Sequence, residues 1–260
     1  MRARWTLCFL AILSVVLPVA SSLAGAGLSA GSPQVRLAAP GPVRRVSPHW
    51  AGYVTTANGS FTAVRATWIQ PHIRCDRPDS AVAFWVGLGG ATRYAQGLEQ
   101  IGTSADCSDT LVPSYSAWSE VMPVPARPVE LAISVTPGDR ITAQISIEGM
   151  TLTLTLSNET TNEAVATETT APILDLSSAE WIAEAPSFCL YQCTTLPLAN
   201  FGRLTFTSAT ASDDAHTGPI SDLAWTHQSI KLATTKKRPA ALPSPLSADG
   251  RSFSIRWRAR

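Results

Sequence analysis

The sequence predicts an all-β fold, an antiparallel β-sandwich or barrel. Apolar and polar residues alternate in many short stretches, those stretches recur at roughly 8–12 residue spacing, and no stretch combines a helical apolar period with good caps. Composition agrees with this. Of 260 residues only 15% are charged and 45% are hydrophobic, with 19 Pro, 16 Gly and 8 Trp. Such a chain is neither disordered nor a coiled coil, and it is long enough to bury a full core. The absence of a visible internal repeat argues against a propeller or solenoid.

The chain opens on an export pattern. Arg2 and Arg4 form a positive start, and Trp5 to Val19 is an apolar run shorter than a membrane-spanning helix needs. The small residues Ala24-Gly25-Ala26 follow, as signal peptidase requires. Residues 1–26 are read as a signal peptide. Residues 27–46 are rich in Ala, Gly, Pro and Ser without an apolar period, and are read as a propeptide or linker with Arg44-Arg45 as a candidate processing site. Residues 47–260 are expected to form a single β-sandwich domain. The net charge of +1 hides an uneven distribution: residues 1–45 hold five Arg and no acid, while residues 236–260 hold seven basic groups and one acid, Asp249. The centre, 46–235, carries −10. An acidic centre with basic ends fits a processed, secreted, extracellular protein, with no nucleic-acid partner and no membrane association after signal removal.

The strands follow from the period of two. Val64, Ala66 and Trp68 alternate with Arg65, Thr67 and Ile69, and Ala81 to Leu88 is an apolar run suited to a buried strand. Gly87-Leu88-Gly89-Gly90 reads as a glycine-rich turn, since no helix or Lys follows to make it a phosphate cradle. Ile141 to Ile147 and Thr151 to Leu156 alternate cleanly around Glu148-Gly149-Met150, the pattern of a hairpin. Further strands are expected at Glu130–Thr136, Ala164–Thr169, Ala179–Glu184, Arg203–Ala209, Leu223–Leu232 and Ser252–Trp257. In the third of these, Glu180, Ile182 and Glu184 share one face. Read alone, that face is a solvated one.

Once Cys8 leaves with the signal, Cys75, Cys107, Cys189 and Cys193 remain, and export favours disulfides. Three pairings are possible. Cys189 with Cys193 would close a small loop and Cys75 with Cys107 a longer one. A zinc site is disfavoured, because no CxxC occurs and the His residues at 49, 72, 216 and 227 are scattered. Asn58-Gly59-Ser60 and Asn158-Glu159-Thr160 are glycosylation sequons that matter only in a eukaryotic host.

Most familiar catalytic signatures are missing: there is no HExxH, P-loop or GxGxxG, and no DTG or DSG triplet. What stands out is a series of polar residues among aromatics. In order these are Trp50-Ala51-Gly52-Tyr53, Trp85-Val86-Gly87, Leu98-Glu99-Gln100-Ile101-Gly102, Tyr115-Ser116-Ala117-Trp118-Ser119-Glu120, and Ala179-Glu180-Trp181-Ile182-Ala183-Glu184. Five such segments in this order resemble the glutamic peptidases, the eqolisin family. The resemblance runs from about residue 49 to the strand near Trp257. It departs from the fungal pattern at Gly89, where an acid is usual, and at Val121, where a Trp is usual, which sets the chain nearer a bacterial-type branch.

The resemblance implies a concanavalin-like sandwich of two sheets of about seven strands and endopeptidase activity in acid on polypeptide substrates, with no metal or other cofactor; a monomer is expected. It assigns Gln100 and Glu184 as the catalytic pair, with Trp85, Glu120, Tyr115 and Trp118 in substrate-binding or supporting places. The residue types suit the task. A carboxylate can deprotonate an attacking water and return the proton to the leaving amine, while a Gln amide donates to the oxyanion and stays a donor in acid. Taken alone, Gln100 is an ordinary polar residue near a strand end, Glu184 a surface acid and Trp85 a core tryptophan. Two rival functions share these residues: a glycoside hydrolase using Glu120 and Glu184 as its carboxylate pair, and a non-catalytic carbohydrate-binding module with the aromatics as a stacking platform.

Overall fold

The structure, a computed structural model, describes residues 34–36, 46–92, 95–123, 127–170, 173–189, 192–233 and 238–258. The signal-peptide reading of 1–26, with Cys8, lies outside the described residues, as does Arg44-Arg45. Among the described residues there are strands and no helix. The strands in the N-terminal half are β1 (Gln34–Arg36), β2 (Val46–Ser47), β3 (Trp50–Thr56), β4 (Phe61–Ile69), β5 (Ala81–Gly89), β6 (Leu98–Cys107), β7 (Pro113–Met122) and β8 (Val129–Glu130). Then come β9 (Arg140–Glu148), β10 (Thr151–Asn158), β11 (Glu163–Thr170), β12 (Ser178–Glu184), β13 (Ser187–Cys189) and β14 (Cys193–Thr195). The last are β15 (Arg203–Asp213), β16 (Thr217–Pro219), β17 (Thr226–Ala233), β18 (Pro239–Pro243) and β19 (Phe253–Trp257).

One antiparallel path runs β11-β10-β9-β4-β15-β19-β18-β17-β3-β12-β5-β6-β7-β8, with β16 and β2 attached at β15 and β17. β4, β9 and β10 form one layer and face β12, β5 and β6 of the other. The expected pair of sheets is therefore joined at one side. β15, β19, β18 and β17 lead from layer to layer, so the backbone ladder continues around the sandwich. A separate small sheet has the order β1-β13-β14.

The period of two explains the main core. Ile141, Ala143 and Ile145 of β9 and Leu152, Leu154 and Leu156 of β10 point inward, as do Phe84, Val86 and Leu88 of β5 and Trp181 of β12. The other face of the β12–β5–β6 layer is covered as well. Trp50, Val54, Trp85, Leu98, Trp118, Met122, Ile182 and Ile230 form a second buried cluster there. Strands β5 and β12 are consequently buried along their whole length on both faces. That burial overturns the solvated-face reading of Glu180 and Glu184.

Three local expectations change. The strand expected at Glu130–Thr136 shrinks to β8, because Leu131, Ile133 and Val135 are buried without a continuous ladder partner. Gly87-Leu88-Gly89 is not a turn but the end of β5, which stays paired with β6 up to Gly89↔Leu98. The sequon at Asn158 is closed, since that side chain is fully buried and donates to Asp139 Oδ2 at 2.8 Å and to the Ser134 carbonyl at 3.0 Å. The four cysteines pair as Cys75–Cys107 and Cys189–Cys193. β18 and β19 stand inside the main path, so the C-terminal stretch is part of the fold.

Candidate active site

Strand register brings the singled-out residues onto one face of the β12–β5–β6–β7 layer. Glu180, Gly87, Gln100 and Glu120 stand opposite one another in one cross-strand row. Ile182, Trp85, Gly102 and Trp118 form the next row, and Glu184 stands beyond it, opposite Ala83 on one side and Trp50 on the other. Alternation keeps all of these side chains on the face of the second cluster. Tyr115 does not join them. Three residues from Trp118, it has the opposite parity, packs against the main core, and its hydroxyl accepts from the Ile73 backbone N–H at 3.1 Å.

Two hydrogen bonds organise the face. The Trp85 indole Nε1 donates to Glu184 Oε2 at 2.9 Å, and Gln100 Nε2 donates to Glu120 Oε2 at 2.8 Å. All four side chains are buried, with Trp85, Gln100 and Glu184 at 0% exposure. Bonds to a carboxylate in so dry a setting are stronger than neutral ones in water. Glycines make the Trp85 position possible. A Cβ on Gly87 would come within 2.7 Å of the Trp85 ring, and one on Gly102 would stand 2.0 Å from the Phe84 carbonyl oxygen. Trp50 meets Trp85 edge to face, with centroids 5.2 Å apart. Trp50 Nε1 and Gln100 Oε1 are buried and without hydrogen-bond partners, so the face holds a donor and an acceptor still unmet.

A second acidic group lies at the Gly89 end of the layer. Gly89 has φ +77°, and a Cβ there would meet the Asp175 carbonyl oxygen at 2.2 Å. Asp175 thus fills the space over the glycine that stands in place of the family's acid, and its Oδ2 accepts from the Gly90 N–H at 3.1 Å. Glu99 and Glu180 are fully buried, and none of their carboxyl oxygens has a hydrogen-bond partner. Burial, with the Asp175 charge second, pushes the Glu99 carboxyl up to about 9. Burial also drives Glu180 well above the ordinary range, with Asp175 and Glu99 adding to it; the neighbouring Ser178 hydroxyl opposes the rise without reaching hydrogen-bond geometry. Val121, the other departure, pairs with Glu99 on the opposite face and leaves the Gln100–Glu120 bond untouched.

Among the described residues no group of His, Cys, Asp and Glu is arranged to hold a metal ion. Sequence reasoning gave no role to Trp50, Glu99 or Asp175. For Asp175 no sequence signal exists, because its proximity to Gly89 and Gly90 comes only from the fold.

Comparison with known proteins fits this geometry. The sequence pattern of the Peptidase A4 family matches residues 48–241. No curated protein matches the chain by sequence. Among solved structures, scytalido-glutamic peptidase with a peptide-based transition-state analogue superposes with a TM-score of 0.69 at 22% identity, covering 82% of this chain and 99% of that one. SCP-B, a member of the eqolisin family in complex with the tripeptide Ala-Ile-His, gives 0.66 at 22% identity over 82% of this chain and 99% of its own. Aspergilloglutamic peptidase from Aspergillus niger gives 0.57 at 24% identity over 69% of this chain and 100% of its own. These structural likenesses carry the fold, an eqolisin-type β-sandwich. The family match covers most of the chain, and on it the protein belongs to the Peptidase A4 family and is a hydrolase of peptide bonds, a glutamic endopeptidase.

Proposed function

We propose that the protein is a secreted, monomeric endopeptidase that works in acid and cleaves polypeptides with Gln100 and Glu184, the domain 47–260 being released from its signal and propeptide. Glu184 takes a proton from the attacking water and later delivers it to the leaving amine. Gln100 offers an amide N–H to the oxyanion of the tetrahedral intermediate. The carrying observation is that each of the two is held by its own partner on one buried face, Glu184 by Trp85 and Gln100 by Glu120. With one N–H given to Glu120, the amide keeps a second for the substrate. That engagement of Glu120 also speaks against its service in a carboxylate pair with Glu184. The disulfides Cys75–Cys107 and Cys189–Cys193 support an oxidising, extracellular destination.

The test is hydrolysis of a denatured protein between about pH 2 and 7 by the wild type, Glu184→Gln and Gln100→Ala, with released peptides read by mass spectrometry. Wild-type cleavage in acid with both variants silent is the expected result. Full activity in either variant removes that residue from the pair.

A further inference from the structure

The cationic C-terminal stretch, seven basic groups against one acid in residues 236–260, is folded onto one end of the sandwich. β19 carries Arg256 into the main path and sets it directly opposite Arg203 of β15. Both arginines are exposed. Directly opposed residues of an antiparallel pair have Cβ atoms about 5 Å apart, and like charges there cost stability.

Two more arginines lie at the same end. Residues 69–77 and 198–207 run antiparallel to each other, with Thr67↔Thr207 beside them and the bridge Arg74↔Asn200 between them. On one side of that bridge, a groove of about 560 Å³ is lined by Arg203, Thr205, Thr207, Ile69, His72 and Arg140 among others. On the other, a groove of about 280 Å³ is lined by Arg74, Asp76, Arg77, Ser80, Asn200 and Trp257, with Leu198. The acids here are engaged: Asp76 Oδ2 accepts from Asn200 Nδ2 at 2.9 Å, and Glu159 Oε2 accepts from Arg140 Nε at 2.7 Å. Arg74, Arg77, Arg203 and Arg256 are exposed, and among the described residues none of the four has an acidic partner. The Trp257 ring is held in place, since its Nε1 donates to the Leu198 carbonyl at 3.4 Å and its backbone N–H to the Gly202 carbonyl at 2.9 Å.

We propose that these four arginines form a docking surface for a sulfated polysaccharide, which holds the secreted enzyme on an extracellular matrix. A guanidinium fork matches the oxygens of an oxyanion, so one sulfate can bridge Arg203 and Arg256 and turn a repulsive pair into a bound one. The Ser80, Thr205 and Thr207 hydroxyls suit the hydroxyls of a sugar, and the fixed Trp257 ring offers a face to its C–H groups. A sulfate ester keeps its charge in acid, as a guanidinium does, so the attraction persists where the proposed chemistry runs. Single-stranded nucleic acid suits the surface less. It is held by stacking successive bases on several aromatic side chains, and the two grooves offer only Trp257, since Trp68 is 1% exposed. β15, β19 and residues 69–77 supply nothing to the Gln100–Glu184 face, so docking and cleavage use separate residues. The binding itself does not depend on the peptidase reading.

The experiment measures binding of fluorescein-labelled dextran sulfate to the full chain by anisotropy, with uncharged dextran as the comparison probe. The wild type is set beside Arg203→Gln/Arg256→Gln and beside Arg127→Gln/Lys231→Gln, which removes the same charge from exposed positions elsewhere. The wild type is expected to bind dextran sulfate and not dextran. The Arg203→Gln/Arg256→Gln chain is expected to bind about tenfold more weakly or worse, with a slope of log K against log salt reduced by about 1 to 2, while the control changes by less than about twofold. Without polymer its Tm should be no lower than that of the wild type, because a like-charge pair has been removed. Four results overturn the proposal: no binding of dextran sulfate by the wild type, equal weakening in the control, a lower Tm in the Arg203→Gln/Arg256→Gln chain, or an oligodeoxythymidylate bound as tightly as dextran sulfate at the same concentration of charge.

Discussion

Gln100 and Glu120 stand directly opposite each other on β6 and β7, and the amide Nε2 of the first donates to Oε2 of the second at 2.8 Å. The bond fixes which end of the amide faces which way, since only the NH2 end can donate to a carboxylate. Glu120→Gln keeps the shape of the partner and removes the charge, so the Gln100 amide can turn its oxygen where its N–H groups should be. In the proposed mechanism that substitution is expected to lower kcat about 10- to 100-fold and leave KM nearly unchanged, the scale of a hydrogen bond to a charged group. Steady-state kinetics on a synthetic peptide check it, and an unchanged kcat would remove Glu120 from this positioning role.

Trp85 plays the corresponding part for Glu184, across 99 residues of sequence. Trp85→Phe keeps an aromatic ring over Gly87 but deletes the indole N–H. A drop in kcat of about tenfold or more is expected, with a stability loss of about 2 kcal/mol from the smaller ring and the lost bond. Kinetics and thermal melting separate the two effects. A variant that melts early yet turns over at the wild-type rate would leave the indole a packing role only.

The outline of this site was legible, and its depth was not. Alternation marks β4, β9 and β10 because one face of each meets the core, and it places Glu180, Ile182 and Glu184 together on β12. It cannot tell whether the second face is wet. On β5 and β12 that face is covered by Trp50, Trp85 and their neighbours, so acids that look like surface groups are buried. Alternation also signals burial rather than pairing, which is why Leu131, Ile133 and Val135 read as a strand they do not form. β6 and β7 were visible only through family segments, since Gly102 and their polar residues blur the period. β1 has three residues and no period at all. Cross-chain partners such as Trp85 for Glu184 or Asp175 for Gly90 follow from register, which single stretches of sequence do not contain.

The two disulfides are predicted to differ in weight. Cys75–Cys107 links positions 32 residues apart, and Cys189–Cys193 links positions 4 apart. In the chain-entropy account the first is worth about 4 kcal/mol and the second about 2 kcal/mol. Cys75→Ala with Cys107→Ala is therefore expected to lower the denaturation midpoint clearly more than Cys189→Ala with Cys193→Ala. Equal midpoints for the two double variants would contradict this expectation.

Stability should fall as pH rises, for a reason located at Glu99 and Glu180. Both carboxyls are buried without hydrogen-bond partners, Glu99 is pushed up to about 9 and Glu180 well above the ordinary range. Unfolded, each would titrate near 4.5. A group whose folded pKa is raised binds its proton more tightly in the native state, so its contribution is complete below about 4.5 and is lost as pH climbs towards about 9. The melting temperature is therefore expected to be highest in acid and to decline steadily through neutrality. Glu99→Gln and Glu180→Gln replace the neutral carboxyl by a neutral amide of like shape, and should flatten that decline while leaving the acid Tm within a few degrees. Melting curves at intervals from pH 3 to 9 decide it. A wild-type Tm that is level from acid to pH 8, or variants as steep as the wild type, would place the origin of any pH dependence elsewhere. The same two groups would then explain, if the decline is found, why an enzyme built on this face is best folded where its proposed chemistry is to run.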